Sequence, residues 1–157
     1  MRHVISVKVG NRAGVLARVA GLFSARGYNI DSLAVSATEH EDTSIMTIVV
    51  KGDDKIIEQV KKQLNKLIDI IKITDHSILP SIQRELAIIK TNALSSKKSE
   101  IIHLSELFNA EMIDITNKTI TLALMGDPEK LDKFIELLTP YTIRELIRTG
   151  RVSILKG

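Results

Sequence analysis

Cysteine is absent from the chain, which removes disulfides, thiolate nucleophiles and cysteine-ligated zinc or iron–sulfur sites from consideration. Aromatic residues make up only 3% of it, too few for a platform on which bases stack. No apolar run approaches the roughly 20 residues that span a bilayer. The opening segment, Met1-Arg2-His3-Val4-Ile5-Ser6-Val7-Lys8-Val9, alternates apolar residues and meets a turn at once, so a secretory signal is not expected. Neither half has a marked excess of one charge: residues 1–80 hold 11 basic and 9 acidic side chains, the remainder 11 and 10. The net charge of +3 is therefore no basic patch, and neither a nucleic acid nor a membrane is expected as a partner. At 157 residues, 44% hydrophobic and 26% charged, the chain suits one globular domain or two small ones.

The order of elements chooses two. Ile5, Val7 and Val9 alternate with Val4, Ser6 and Lys8, the period of a strand with one strongly apolar face, over residues 3–9. Val15, Leu16, Val19, Leu22 and Phe23 recur at helical spacing, and Gly27 supplies a stop, predicting a helix over about 14–26. Leu33, Val35 and Ala37 alternate with Ser32, Ala34 and Ser36, and a polar turn at Glu39-His40-Glu41-Asp42 leads into Ser44 to Val50, which reads as a hairpin. Asp53 and Asp54 are placed to cap a helix over 54–66 carrying Ile56, Ile57, Val60 and Leu64. The β-branched run Ile68 to Thr74 closes the unit as a fourth strand. This βαββαβ order predicts an α+β fold, a ferredoxin-like antiparallel sheet with both helices on one face.

Asp75 to Gln83, with Pro80 inside it, reads as the link, so the domains are expected at 1–77 and 78–157. The same order then repeats: a strand over Glu85 to Thr91, a helix over Lys98 to Phe108, a hairpin of Glu111 to Thr116 and Thr119 to Met125 around Asn117-Lys118, and a helix opened by Asp127-Pro128-Glu129. Thr142 to Thr149 alternates as a strand, with helix the alternative. The halves differ in one respect: Thr91 to Lys98 joins strand to helix without glycine, so a small-molecule turn belongs to the first half.

That turn is Gly10-Asn11-Arg12-Ala13-Gly14-Val15-Leu16. The Asn11 amide can donate and accept, Gly14 lets backbone approach a guest, and the first N–H groups of the helix have no partner within it. A carboxylate suits such a place. The bland alternative is that Asn11 and Gly14 only shape the turn. A second turn, Gly27-Tyr28-Asn29-Ile30-Asp31, offers another amide at Asn29 and an apolar surface at Ile30, and together the two meet the needs of an aliphatic amino acid.

Catalytic readings find little. His3, His40, His76 and His103 stand one to an element without a second ligand at helical spacing, so each reads as a surface or boundary residue and no metal is expected. Glu39 to Asp42 is explained as well by a polar turn as by weak chelation. Gly10 to Gly14 has neither the Gly-Lys-Ser/Thr ending of a phosphate loop nor a dinucleotide fingerprint. Phe23, Phe108 and Phe134 fall on predicted helices, with Tyr28 and Tyr141 near turns, which sets this chain apart from RNA-binding modules of the same strand order.

Asn11 to Val19, Gly21-Leu22-Phe23-Ser24 and Arg26-Gly27-Tyr28-Asn29-Ile30-Asp31-Ser32-Leu33 resemble the start of the acetolactate synthase (acetohydroxyacid synthase) small regulatory subunits, which open with an ACT domain. The likeness continues through Gly52-Asp53-Asp54-Lys55, Arg84-Glu85-Leu86-Ala87, Met112 to Thr116 and Arg148-Thr149-Gly150, covering nearly the whole chain. It implies a non-catalytic chain whose partner is the large subunit, the one that holds thiamine diphosphate, magnesium and FAD, with no cofactor here. It implies activation of that partner and feedback inhibition by a branched-chain amino acid such as valine in valine, isoleucine and leucine biosynthesis. It also implies a homodimer of ACT domains with the effector between copies, bound by Asn11, Ala13, Gly14, Val15 and Leu16 of one and Asn29 and Ile30 of the other. The implied compartment is the cytoplasm, or the plastid stroma for an organelle-encoded chain. A free-standing amino-acid sensor acting on another enzyme or a transcription factor is the alternative; the second half discriminates, since a lone sensor has no need of Arg84 to Gly150 in family form, whereas an independent enzyme requires a catalytic constellation and none is found.

Overall fold

The computed structural model describes all 157 residues. The first repeat comprises β1 (Arg2–Gly10), α1 (Val15–Ala25), β2 (Ile30–Ala37), β3 (Thr43–Lys51), α2 (Asp54–Leu64) and β4 (Ile70–Asp75). Its strands lie in the order β2-β3-β1-β4, and the pairs are antiparallel. Val7 stands opposite Met46 on one side and Ile73 on the other, so these side chains share one face. Val15, Val19 and Phe23 of α1 and Ile57, Val60 and Leu64 of α2, each set at three- or four-residue spacing, bury themselves against that face. The Asp53 side chain caps α2, accepting from the Ile56 N–H at 2.9 Å. By contrast α1 has Gly14 at its cap, at φ +83°, with no side-chain hydrogen bond and no acid in its first turn.

The second repeat comprises β5 (Ser81–Asn92), α3 (Lys98–Leu107), β6 (Glu111–Ile115), β7 (Thr119–Gly126), α4 (Pro128–Leu138), a 3-10 turn (Thr139–Tyr141) and β8 (Ile143–Arg148). Its order β6-β7-β5-β8 reproduces the first. Ile89, Leu122 and Leu124 form the sheet side of its core and Ile101, Leu131, Phe134 and Leu138 the helix side. Asp127 caps α4, accepting from Lys130 N–H at 2.8 Å, with Pro128 at the first helical position. The fold is thus two ferredoxin-like βαββαβ repeats in tandem.

Several boundaries differ from the sequence reading. The fourth strand starts at Ile70, not Ile68, because Ile68 lies in the preceding turn with its side chain in water. Strand β5 starts at Ser81, immediately after Pro80, so the last three residues of the segment read as a linker are already sheet while residues 76–80 form the turn. Residues 142–149 hold a strand, β8, because Ile147 and Leu146 align with Ile88 and Ile89 of β5. A ninth strand, β9 (Val152–Leu155), follows and pairs with β5. By compactness the chain divides into residues 1–82 with 151–157, and residues 83–150. The last seven residues therefore group with the first unit rather than the second: Lys156 N–H donates to the Pro80 carbonyl at 2.9 Å, and His76 Nδ1 lies 2.6 Å from Ser153 Oγ. His3 and His76 are buried, not surface residues, since β1 and the end of β4 carry them inward.

Candidate functional site

The predicted turn lies between β1 and α1 and is tied down at both flanks. Asn11 N–H donates to the Asp42 carbonyl at 2.8 Å and Asn11 Nδ2 to the Glu41 carbonyl at 2.9 Å, so the side-chain amide N–H group holds the β2–β3 hairpin against the turn. Asn11 is exposed, and its side-chain carbonyl oxygen accepts no hydrogen bond within the chain. Gly10 N–H donates to the Asp69 carbonyl at 3.0 Å, fixing the other flank to the start of β4.

The first helical hydrogen bond runs from Arg18 N–H to the Gly14 carbonyl at 3.0 Å, and the Val15 N–H reaches only back to the Arg12 carbonyl at 3.4 Å. The N–H groups of Leu16 and Ala17 are left with no backbone acceptor, as the first turn of any helix requires when nothing caps it. Ala13 and Gly14 are exposed, and Leu16 is 42% exposed despite being large and apolar. Val15 is different: its side chain belongs to the core, so of the predicted contacts it offers packing from beneath and no surface.

Asn29 and Ile30 lie elsewhere. Gly10 stands opposite Thr43 in β3, whereas Ile30 stands opposite Val50, seven positions along the same strand. At about 3.3 Å per residue the two turns sit roughly 23 Å apart at opposite ends of one sheet. Asn29 Nδ2 donates weakly to Asp31 Oδ1 at 3.3 Å, while Arg2 Nε donates to Asp31 Oδ2 at 2.8 Å. One copy of the chain does not bring the two amides together.

A residue that the sequence reading left aside completes the turn. Arg18, one helical turn beyond Gly14, directs Nε and Nη2 to Asp69 Oδ2 at 2.9 and 2.7 Å. Only the pairing of β4 with β1 puts Asp69 there, 51 residues away in sequence.

No three His, Asp or Glu side chains converge as a metal site, and no helix is long and apolar enough to cross a membrane. The equivalent strand-to-helix join of the second unit is a half-open groove of about 360 Å³ lined by Asn92, Lys97, Glu100, Tyr141 and Thr142 among others, where Tyr141 Oη donates to Glu100 Oε2 at 2.8 Å.

Residues 5–72 match the family described as the AHAS small subunit-like ACT domain, and residues 84–157 match that described as the small subunit of acetolactate synthase. A probable acetolactate synthase small subunit of Archaeoglobus fulgidus is 48% identical over 157 residues, all of this chain and 98% of its relative. The acetolactate synthase small subunit of Mycolicibacterium smegmatis is 48% identical over 155 residues, 99% of this chain and 91% of the other. The crystal structure of a small subunit from Thermotoga maritima superimposes with a TM-score of 0.90 at 38% identity, covering 100% of this chain and 98% of that one. With both repeats matched and the likeness running the length of the chain, this protein belongs to the acetolactate synthase small subunit family.

Proposed function

We propose that this chain, as the regulatory subunit, raises the activity of the thiamine-diphosphate-dependent large subunit and subjects it to feedback inhibition by valine or another branched-chain amino acid. Thiamine diphosphate, magnesium and FAD then belong to the large subunit, and this cytoplasmic chain supplies an effector site and no reacting group. The effector lies between two copies of the first unit.

The observation that carries this reading is the separation of Asn11 from Asn29 along the sheet. Strand β2 is an edge strand, with a row of backbone groups open to a further strand. An isologous antiparallel pairing of β2 with a second β2, centred on the middle of the strand, sets Ile30 of one copy opposite Ala37 of the other. Ala37 stands opposite Ser44, one residue from Thr43, the partner of Gly10. The two-fold thereby brings the Asn29 turn of one copy to the same end of the joined sheet as the Asn11 turn of the other. The exposed Leu16 and the partly buried Ile30 supply apolar walls for a branched side chain, the open N–H groups a place for a carboxylate, and the amide oxygens acceptors for an ammonium.

Calorimetric titration of the purified chain with valine, leucine and isoleucine tests the effector reading; an absence of heat with all three counts decisively against it. Gly14→Asp, which sets a carboxylate at the turn, is expected to abolish inhibition while the large subunit is still activated. Loss of activation as well would assign the turn to folding or assembly.

A further inference from the structure

The pairing of Arg18 with Asp69 leaves one corner of a guanidinium unused. Asp69 is a buried carboxylate, its side chain 5% exposed, whereas that of Arg18 is 49% exposed. A carboxylate removed from water demands a counter-charge, and Asp69 takes it from two of the three guanidinium nitrogens, Nε and Nη2, through a single oxygen. This fixes the plane of the group. The third nitrogen, Nη1, has no hydrogen-bond partner in the chain and lies against Gly14, close enough that a Cβ at that position would stand 3.0 Å from it. The absent side chain of Gly14 is therefore the opening through which the cation meets the turn. Around it, the Leu16 and Ala17 N–H groups are open and no acid stands in the first turn of α1. Asp69, the carboxylate paired with Arg18, is already spent on the far side of the guanidinium.

We infer that Arg18, held by Asp69, is the residue that binds the effector's carboxylate, and that it sets the selectivity of the site for an α-amino acid over its neutral amide. The inference rests on the effector reading above and deepens it. Arg18 is the contact and Asp69 the positioning residue: with Nε–H and one Nη2–H turned to Asp69, Nη1 and the second Nη2–H remain as a planar end-on fork for a carboxylate, and a fork is selective only when its plane is held. A lysine at 18 would keep the charge without the fork. The same geometry accounts for the expected effect of Gly14→Asp, since the added carboxylate would settle on Nη1 and take the effector's place from within.

The test is titration of the full chain and of Arg18→Gln, Arg18→Lys and Asp69→Asn with L-valine and with L-valinamide. The unmodified chain is expected to prefer valine. Arg18→Gln is expected to weaken valine binding by roughly 10-fold to 100-fold, the range for a hydrogen bond to a charged group, while valinamide binding holds, so that the preference collapses. Arg18→Lys falls between, and Asp69→Asn lowers the preference more than it lowers valinamide binding, which a general loosening of the fold would not do. Valine binding to Arg18→Gln within about twofold of the unmodified chain, with the preference intact, overturns the inference and leaves the effector reading standing. If the unmodified chain binds no branched-chain amino acid, both fall. Should Arg18→Gln fail to fold by circular dichroism, the unmodified chain decides: equal affinity for valine and valinamide excludes a carboxylate contact at Arg18.

Discussion

Arg148 holds Glu85 in a two-point grip: Nε lies 2.7 Å from Oε1 and Nη2 2.9 Å from Oε2, while Nη1 reaches Asp132 Oδ1 at 2.7 Å. Hydrogen bonding to Glu85 is the chief reason the Arg148 pKa stands raised. Glu85 is buried, its side chain 5% exposed, so removing Arg148 leaves a charge in the interior with no partner. Arg148→Ala is expected to destabilise the protein by about 3 kcal/mol, measured as a lower urea midpoint. A loss under about 1 kcal/mol would mean that water replaces the arginine and that the grip is a surface pair in effect.

His76 is expected to make the first unit sensitive to acid. Burial holds its pKa below the ordinary histidine value, with the charge of Asp75 pulling the other way. A depressed histidine contributes stability in full above its unfolded pKa of about 6.5, and that contribution is lost as the unfolded chain takes up a proton first. The urea midpoint should therefore fall between about pH 8 and about pH 5.5, and fall less in His76→Gln. Equal losses in the two proteins would show that other groups carry the effect.

The last strand is held by contacts that can be removed one at a time. Ser153→Ala deletes the partner of His76 Nδ1 and is expected to cost about 1 kcal/mol, with faster amide exchange in 151–157 as the local sign. Unchanged exchange there would mean that backbone pairing alone retains the strand.

Two glycines separate backbone strain from the effector turn. Gly14 at φ +83° and Gly27 at φ +69° both occupy the left-handed region, yet a Cβ at Gly27 meets nothing within 4 Å while one at Gly14 meets Arg18. Alanine at either is expected to cost about 1 kcal/mol in stability. Only Gly14→Ala should change the response to valine, read as inhibition of the reconstituted enzyme; an equal change in Gly27→Ala would trace the response to stability.

The caps of α2 and α4 are the simplest case. Asp53→Ala and Asp127→Ala each remove a side chain that accepts from the helix N-terminus and should each cost about 1 kcal/mol by thermal unfolding. Asp127→Ala is not expected to alter effector binding, since its unit contributes no residue to the Asn11 and Asn29 turns.

The elements were legible because each buries its own periodic face: Val15, Val19 and Phe23, or Leu131, Phe134 and Leu138, report a helix without knowledge of what covers it. The strand-to-helix turn was legible from Gly14 standing between a strand pattern and a helix pattern, and the structure holds that glycine at φ +83°. Strand β9 was missed because four residues after a glycine turn carry too short an alternation to be told from a tail. The burial of His3 and His76 was missed because a lone histidine has no periodic partner.

What the sequence by itself determined is therefore local and repeated: two βαββαβ units, two capped helices, one open turn and the family to which they belong. What only the tertiary structure decided depends on register. The pairings of β1 and β2 with β3 set Asn11 and Asn29 at opposite ends of one sheet, and the pairing of β1 with β4 brings Asp69 to Arg18. Periodicity reports which face of a segment is buried, but a contact across many residues exists only once the strands between have taken their places, and the candidate site is made of such contacts.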